Sequence, residues 1–160
     1  MNEPLTGGCQ CGAVRFRVEG PPGRVSICHC RMCQKAFAAP YGAFVSVELG
    51  KLSWTRGEPR RFNSSADVLR GFCAECGTPL TFEPAQGGDA IGIAACAFDA
   101  PQHLVPQRQI WTESRLEWAD DLSRIPARPA EQDAAARARY GDAPSLQHPD
   151  HDTDSWPRTR

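Results

Sequence analysis

The chain has 160 residues, a formal net charge of −1 and 41% hydrophobic residues, which fits one soluble domain. No apolar run approaches the ~18 residues of a membrane-spanning helix, and the balanced charge excludes the strongly basic surface of a typical nucleic-acid-binding protein. The N-terminus lacks the basic start and apolar core of a signal peptide, so a cytoplasmic protein without nucleic-acid or membrane partners is predicted. In that reducing compartment, the eight cysteines are expected to be metal ligands rather than disulfides.

Residues 1–126 are predicted to form one mainly β, antiparallel domain. Residues Val14–Val18 alternate apolar and charged side chains, as a half-buried strand does. Further short strands, separated by turn-rich segments, are expected over residues 25–27, 42–47, 51–54, 68–72, 80–83 and 90–96. Within this region, only Arg31–Phe37 is predicted to form a helical turn.

Residues 127–160 are assigned to a polar tail, because the composition changes near Pro126. Residues Ala130–Tyr140 are predicted to form a short surface helix, since alanine and arginine favour that conformation. Beyond Gly141, the chain has too little apolar surface to offset the entropy lost on ordering. We therefore expect residues 141–160 to be flexible, with His148 and His151 in solvent.

Seven of the eight cysteines fall into two pairs and one triplet. The pairs are Cys9 with Cys11 and Cys73 with Cys76, and the triplet is Cys28, Cys30 and Cys33. Such spacings let thiolates from one turn bind one metal ion, and zinc accepts sulfur ligands in tetrahedral geometry. Two pairs supply the four ligands of a structural zinc, whereas a triplet leaves the open position of a catalytic zinc. The sequence therefore predicts two zinc ions per chain, one structural and one catalytic.

Other polar residues near the triplet have two interpretations each. Cys96 ends an apolar strand, where it is either a buried inert thiol or a fourth ligand that would close the triplet's site. His29 lies between two triplet cysteines and either points away from the metal or transfers protons. Arg31 and Lys35 are either surface charges or the source of a positive field beside the thiolates. The basic stretch from Arg56 to Arg70 is either a solvated face or a docking patch for an anionic ligand.

The cysteine motifs resemble those of the glutathione-dependent formaldehyde-activating family, whose domain is shared with centromere protein V. The matching segments are Gly8–Gly12, Cys28–Lys35 and Phe72–Leu80, with weaker matches at residues 97–99 and 110–118. Together they cover about residues 5–126. The resemblance implies a zinc-bound β-tent fold, with the cysteine pairs structural and the triplet catalytic. The chain departs from the family pattern at Ala38, near where a glycine is usual, and at Gln109, where a histidine is common.

This resemblance predicts a carbon–sulfur lyase that forms or cleaves S-hydroxymethylglutathione-type adducts of a thiol and an aldehyde. The expected partners are a small-molecule thiol, for example glutathione, and an aldehyde, neither of which the sequence identifies, and the candidate catalytic residues are Cys28, Cys30, Cys33 and Lys35. The alternative is a non-catalytic zinc module that binds a protein partner or carries a thiol ligand. Nucleic-acid binding, which the centromere relative suggests, is not supported by the neutral charge.

Overall fold

The structure is a computed structural model that describes residues 3–141 and 145–155. In chain order, the strands of this described part are β1 (Leu5–Gly8), β2 (Arg15–Val18), β3 (Val25–Cys28), β4 (Gly42–Glu48), β5 (Leu52–Arg56), β6 (Arg60–Ser65), β7 (Val68–Phe72), β8 (Pro79–Pro84), β9 (Ala90–Ala94) and β10 (Arg108–Ile110). The α-helices are α1 (Arg31–Phe37) and α2 (Ala130–Tyr140). The mainly β prediction is confirmed, and both helices have the predicted bounds.

The described strands form two sheets, one of three strands in the order β1-β2-β5 and one of seven in the order β10-β3-β4-β9-β8-β7-β6. All neighbouring strands run antiparallel except β10, which pairs with β3 in parallel. The sequence patterns did not predict β1, β6 or β10, because these strands lack a clear alternation of apolar and polar residues. The predicted strand 90–96 ends at Ala94, and residues Ala95–Ala97 form a short 3-10 helix.

The core combines residues of both sheets, with Phe16 of β2 at its centre and fully buried. The Phe16 ring makes edge-to-face contacts with Trp54 and Phe98, at centroid distances of 5.9 and 5.0 Å. Gly7 of β1 permits this packing, since a Cβ atom there would lie only 2.5 Å from Cζ of Phe16. These contacts join β2 to β5 and attach the small sheet to the segment that follows β9.

The two faces of the large sheet have different surroundings, as the side chains of β4 show. Val45 and Val47 belong to the core, whereas Phe44 and Ser46 line a cavity on the opposite face. Successive side chains of a strand point to opposite faces of its sheet. The sheet therefore separates the core from the cavity that contains the candidate site.

The segment after α2 contacts the domain, although its composition predicts a tail with little to bury. The His148 side chain is buried, and its backbone N–H donates to the carbonyl of Gln10 over 2.7 Å. Asp152 pairs with the buried guanidinium of Arg15 at 2.6 Å, and Arg56 donates to the Oγ1 atom of Thr153 at 3.2 Å. The expectation that His148 is solvated is therefore wrong. Hydrogen bonds and ion pairs hold this segment on the domain, and the composition argument considered only the burial of apolar side chains. The predicted tail residues 142–144 and 156–160 lie outside the described part.

Within the described residues, no helix is long and apolar enough to cross a membrane.

Candidate metal centres and cavity

The two cysteine pairs come together as one four-sulfur cluster. Cys9 and Cys11 lie in the turn between β1 and β2, and Cys73 and Cys76 lie in the turn between β7 and β8. All four sulfurs lie within 4.8 Å of one another, with 3.7 Å between Cys9 and Cys11 and 3.8 Å between Cys11 and Cys73. Zinc–sulfur bonds of ~2.3 Å in a tetrahedron separate neighbouring sulfurs by ~3.8 Å. The cluster therefore has the spacing of a four-thiolate zinc site.

The turns that hold this cluster direct hydrogen-bond donors toward the sulfurs. The N–H group of Val14 donates to Sγ of Cys9 over 3.2 Å, and the hydroxyl of Thr78 lies 3.1 Å from Sγ of Cys76. Burial raises the pKa of the Cys9 thiol. Burial also disfavours the Cys76 thiolate, but hydrogen bonds from Thr78 and Cys11 outweigh it and lower that pKa to about 6.

Glycines follow both pairs, as tight metal-binding turns require. Gly12 and Gly77 have φ angles of 70° and 78°, in the region that favours glycine. These φ angles let the chain turn tightly next to the sulfurs.

The cysteine triplet forms a second cluster at the junction of β3 and α1. Cys28 ends β3, Cys30 caps the N-terminus of α1, and Cys33 lies in its first turn. Their three sulfurs lie within 4.8 Å of one another, and Sγ of Cys30 accepts the N–H of Cys33 over 3.4 Å. One thiol therefore caps the helix while it faces the other two sulfurs.

The three thiols have different acidities. Burial raises the pKa of Cys28 to about 12, and burial also raises the pKa of Cys33 despite the nearby charge of Arg70. At Cys30, hydrogen bonds from Cys33, Cys28 and Met32 outweigh burial and lower the pKa. Cys30 is therefore the triplet thiol most readily ionised before a metal binds.

Arg70 of β7 contacts this triplet. Its side chain is only 3% exposed, its Nη2 atom donates to Sγ of Cys33 over 3.3 Å, and its Nε atom donates to Oγ of Ser64 over 3.0 Å. The guanidinium carbon lies 5.2 Å from the ring centre of Phe82. Among the described residues, Nη1 has no hydrogen-bond partner. A solvated face is therefore the wrong interpretation for Arg70, because the β7 register turns this side chain toward the triplet.

A cavity of about 500 Å³ lies beside the triplet. Cys28, Cys30, Cys33 and Arg70 contribute to its wall, and most of its other lining side chains are apolar. Exposed Met32 and Trp111 also line it and so border its opening. The cavity gives a small molecule access to the three sulfurs.

The structure does not bring Lys35 into this cavity wall. Lys35 lies in the last turn of α1 with its side chain exposed, and Arg31 is also exposed and donates to Oε1 of Gln34 over 3.1 Å. Neither residue lines the cavity in the described chain. This placement gives no support to the predicted positive field from Lys35.

His29 is buried but does not line the cavity. Its Nε2 atom lies 2.7 Å from Oε1 of Gln109, and its ring meets Tyr41 edge-on at 5.8 Å. The amide oxygen can accept a hydrogen bond from Nε2 in the tautomer that carries its proton there. Gln109, one of the two departures from the family pattern, thus holds the orientation of His29.

Gln34 fixes α1 to the loop after β10, a role that no sequence pattern predicted. Its buried Nε2 atom donates to the carbonyl of His29 over 2.9 Å and to that of Ser114 over 2.8 Å. These bonds connect the triplet's helix to the loop that begins with Trp111.

Ala38, the other departure, adopts the backbone conformation that a glycine favours. Its φ and ψ angles are 48° and 39°, and its N–H group donates to the carbonyl of Lys35 over 3.3 Å at the end of α1. The left-handed cap is therefore retained with alanine, at a cost in backbone strain.

Cys96 has neither of the two environments expected for it. Its side chain is exposed in the 3-10 helix after β9, so it is not a buried thiol. In the described residues, the triplet cluster contains Cys28, Cys30 and Cys33 without Cys96. Cys96 instead lines a small depression that also includes Cys9 and His148.

Comparison with known sequences gives one consistent result. The sequence model described as glutathione-dependent formaldehyde-activating enzyme matches residues 4–114. A Schizosaccharomyces pombe protein named as an uncharacterized lyase is 25% identical over 114 residues, which are 71% of this chain and 82% of that protein. A Halomonas elongata protein with the provisional name glutathione-dependent formaldehyde-activating enzyme is 31% identical over 152 residues, which are 86% of this chain and 96% of that protein.

A solved structure shares the fold. The crystal structure of a Rhodobacter sphaeroides protein matches with a TM-score of 0.53 and 21% identity, covering 65% of this chain and 98% of the other. The family match over residues 4–114 includes both cysteine clusters and Arg70, which confirms the resemblance inferred from the cysteine motifs. The chain therefore belongs to the glutathione-dependent formaldehyde-activating enzyme family.

Proposed function

We propose that the protein is a zinc-dependent carbon–sulfur lyase that joins a thiol to an aldehyde and cleaves the adduct in the reverse direction. The contrast between the two cysteine clusters carries this proposal, since one has four sulfurs and the other has three beside a cavity. Three protein ligands leave one coordination position for a substrate, whereas four ligands close a site. The names of the relatives, a lyase and a formaldehyde-activating enzyme, support the same chemistry.

Each cluster has its own role in this proposal. Cys9, Cys11, Cys73 and Cys76 would hold a structural zinc, and Cys28, Cys30 and Cys33 would hold the catalytic one. When bound by the triplet, zinc supplies a Lewis acid that can hold a thiolate or polarise an aldehyde oxygen.

Arg70 would balance the charge of the triplet. Three thiolates and one divalent cation sum to a charge of −1, and the guanidinium adds a positive charge 3.3 Å from Sγ of Cys33. Because the guanidinium is buried, this interaction is screened less than it would be at the surface. Arg70 takes the charge-balancing role that the sequence suggested for Lys35.

The proposed reaction needs no oxidant or reductant. A bond forms between the thiol sulfur and the carbonyl carbon, and the thiol proton ends on the carbonyl oxygen to give an S-hydroxyalkyl adduct. Cleavage reverses both changes. The chain's contribution is to hold both reactants in the cavity beside Cys30 and Arg70, which lowers the entropic part of the barrier.

Exchange spectroscopy tests this proposal directly. Glutathione and formaldehyde combine without a catalyst, so the measurement is the rate of exchange between free and thiol-bound formaldehyde in NMR spectra. We expect the wild-type protein to accelerate the exchange and Cys30→Ser to abolish the acceleration. Cys96→Ser is the matched control, because Cys96 is exposed and lies outside both clusters. Exchange at the uncatalysed rate with two zinc ions bound would contradict the proposal.

The alternative is a module that binds a thiol without turning it over. One observation favours it: among the described residues, His29 and Lys35 do not line the cavity, so neither is placed to transfer a proton there. This alternative predicts saturable glutathione binding that Cys30→Ser removes, with no change in the exchange rate.

A further inference from the structure

We propose that the aldehyde partner has an apolar, aromatic or branched carbon chain and is larger than formaldehyde. This inference rests on the proposed function and specifies the substrate class of the same site. It follows from the size, the walls and the opening of the cavity beside the triplet.

The cavity has room for more than a one-carbon aldehyde. Its volume is about 500 Å³, whereas formaldehyde has two heavy atoms. Pockets of ~300–1,000 Å³ commonly enclose ligands of drug-like size. Because the thiol shares this space, the volume admits a carbon skeleton beside the reacting carbonyl, and the chemistry of the walls decides which kind of skeleton fits.

The inner wall is apolar. Phe44 and Phe82 face each other edge-on with ring centres 5.8 Å apart, and Val68 and Ile110 extend this surface. Aromatic rings in such arrangements add favourable contacts to the burial of a further apolar group. A hydrocarbon chain would exchange water for these surfaces, whereas a charged chain would lose its hydration there.

The two cations of the cavity lining lie on β7 and β10, strands that have β3, β4, β9 and β8 between them in the sheet. Arg70 is held by Cys33, Ser64 and the ring of Phe82, and Arg108 is exposed on β10. The buried guanidinium therefore serves the reacting end of the ligand beside the sulfurs. The apolar surface between the two arginines is left for the carbon chain.

Trp111 places an indole at the opening at the cost of backbone strain. Its φ angle is 58°, a left-handed value that bulky residues rarely adopt, and its side chain is 60% exposed. Strained residues are concentrated at ligand-binding sites because the surrounding structure holds them in place. Trp111 and exposed Met32 would cover the outer part of an apolar ligand.

A variant with a side chain that partly fills the cavity tests this inference by ligand binding, independently of enzymatic turnover. Ser46 is exposed on β4, two residues from Phe44, and lines the cavity, so Ser46→Phe adds a ring to it without altering the core. Ser53→Phe is the matched control, because Ser53 is exposed on β5 in the other sheet. The probes are 2-phenylethanol and methanol, inert counterparts of phenylacetaldehyde and formaldehyde, titrated into the zinc-loaded protein and followed by amide NMR shifts.

We expect 2-phenylethanol to shift the amides around Phe44 and Phe82 saturably, and methanol to leave them unchanged at the same concentrations. Ser46→Phe should weaken 2-phenylethanol binding by about tenfold or more, and Ser53→Phe by less than about twofold. In the exchange assay, phenylacetaldehyde should then be processed faster than formaldehyde by the wild-type protein.

Two results would overturn the inference. One is the absence of 2-phenylethanol binding in this cavity, and the other is faster exchange of formaldehyde than of phenylacetaldehyde. If 2-phenylethanol binds and Ser46→Phe weakens it, but no aldehyde is exchanged with glutathione or 2-mercaptoethanol, the proposed function fails. That result would refute the aldehyde as ligand and leave the apolar preference of the cavity supported.

Discussion

The Nη2 atom of Arg70 donates a hydrogen bond to Sγ of Cys33 over 3.3 Å, although 37 positions separate the two residues in the chain. The contact joins β7 of the large sheet to α1, and both residues are almost fully buried. A cation held beside a thiolate favours its ionised form and thus favours metal binding, which requires deprotonated cysteines.

We expect Arg70→Met to weaken zinc binding at the triplet by about 10–100-fold, the usual effect of removing an outer partner of a metal ligand. Competition with a chelator measures this affinity, and the four-cysteine cluster should keep its zinc. Arg60→Met is the matched control, because Arg60 is exposed on the neighbouring strand β6. Equal zinc affinities in both variants would show that Arg70 only packs against the cavity.

A substitution at Ala38 tests the strained end of α1. Ala38→Gly should raise the free energy of unfolding by about 0.5–1 kcal/mol, because glycine adopts the observed φ of 48° without the steric cost of a Cβ atom. Denaturant unfolding in excess zinc measures the change. Ala36→Gly, two residues earlier and inside α1, should instead lower stability by about 0.5–1 kcal/mol. A loss of stability in both variants would contradict the strain at Ala38.

His148 should make stability depend on pH. Burial and the positive charges of Arg15 and Arg56 lower its pKa in the folded state, below the value of ~6.5 for an unperturbed histidine. The unfolded chain then binds this proton more readily, so stability is lost as the pH falls below ~6.5 toward the folded pKa.

We therefore expect His148→Gln to flatten the fall of the melting temperature on acidification, measured by calorimetry. His151→Gln is the control, since His151 is exposed three residues further along the segment. If His148→Gln has the same dependence of melting temperature on pH as the wild-type protein, the buried imidazole does not contribute to the loss of stability in acid.

Local patterns explain which parts of the fold could be predicted. The alternation in Val14–Val18 and the short cysteine spacings are properties of neighbouring residues, so the strand and both clusters could be read from them. The burial of Arg70 depends on which strands pair and in what register, and a lone arginine in a strand gives no sign of it. The docking of His148 likewise depends on ionic partners more than 90 positions away, such as Arg56. Composition alone describes that segment as a polar tail.

The zinc content of two cysteine variants tests the central claim that the clusters have different roles. We predict two zinc ions per wild-type chain, about one in Cys30→Ser with the fold intact, and a largely unfolded chain in Cys73→Ser, because a structural zinc contributes directly to folding. Elemental analysis with circular dichroism measures both properties. A Cys30→Ser variant that keeps two zinc ions, or a Cys73→Ser variant that stays folded with unchanged zinc, would contradict this division between a structural and a catalytic site.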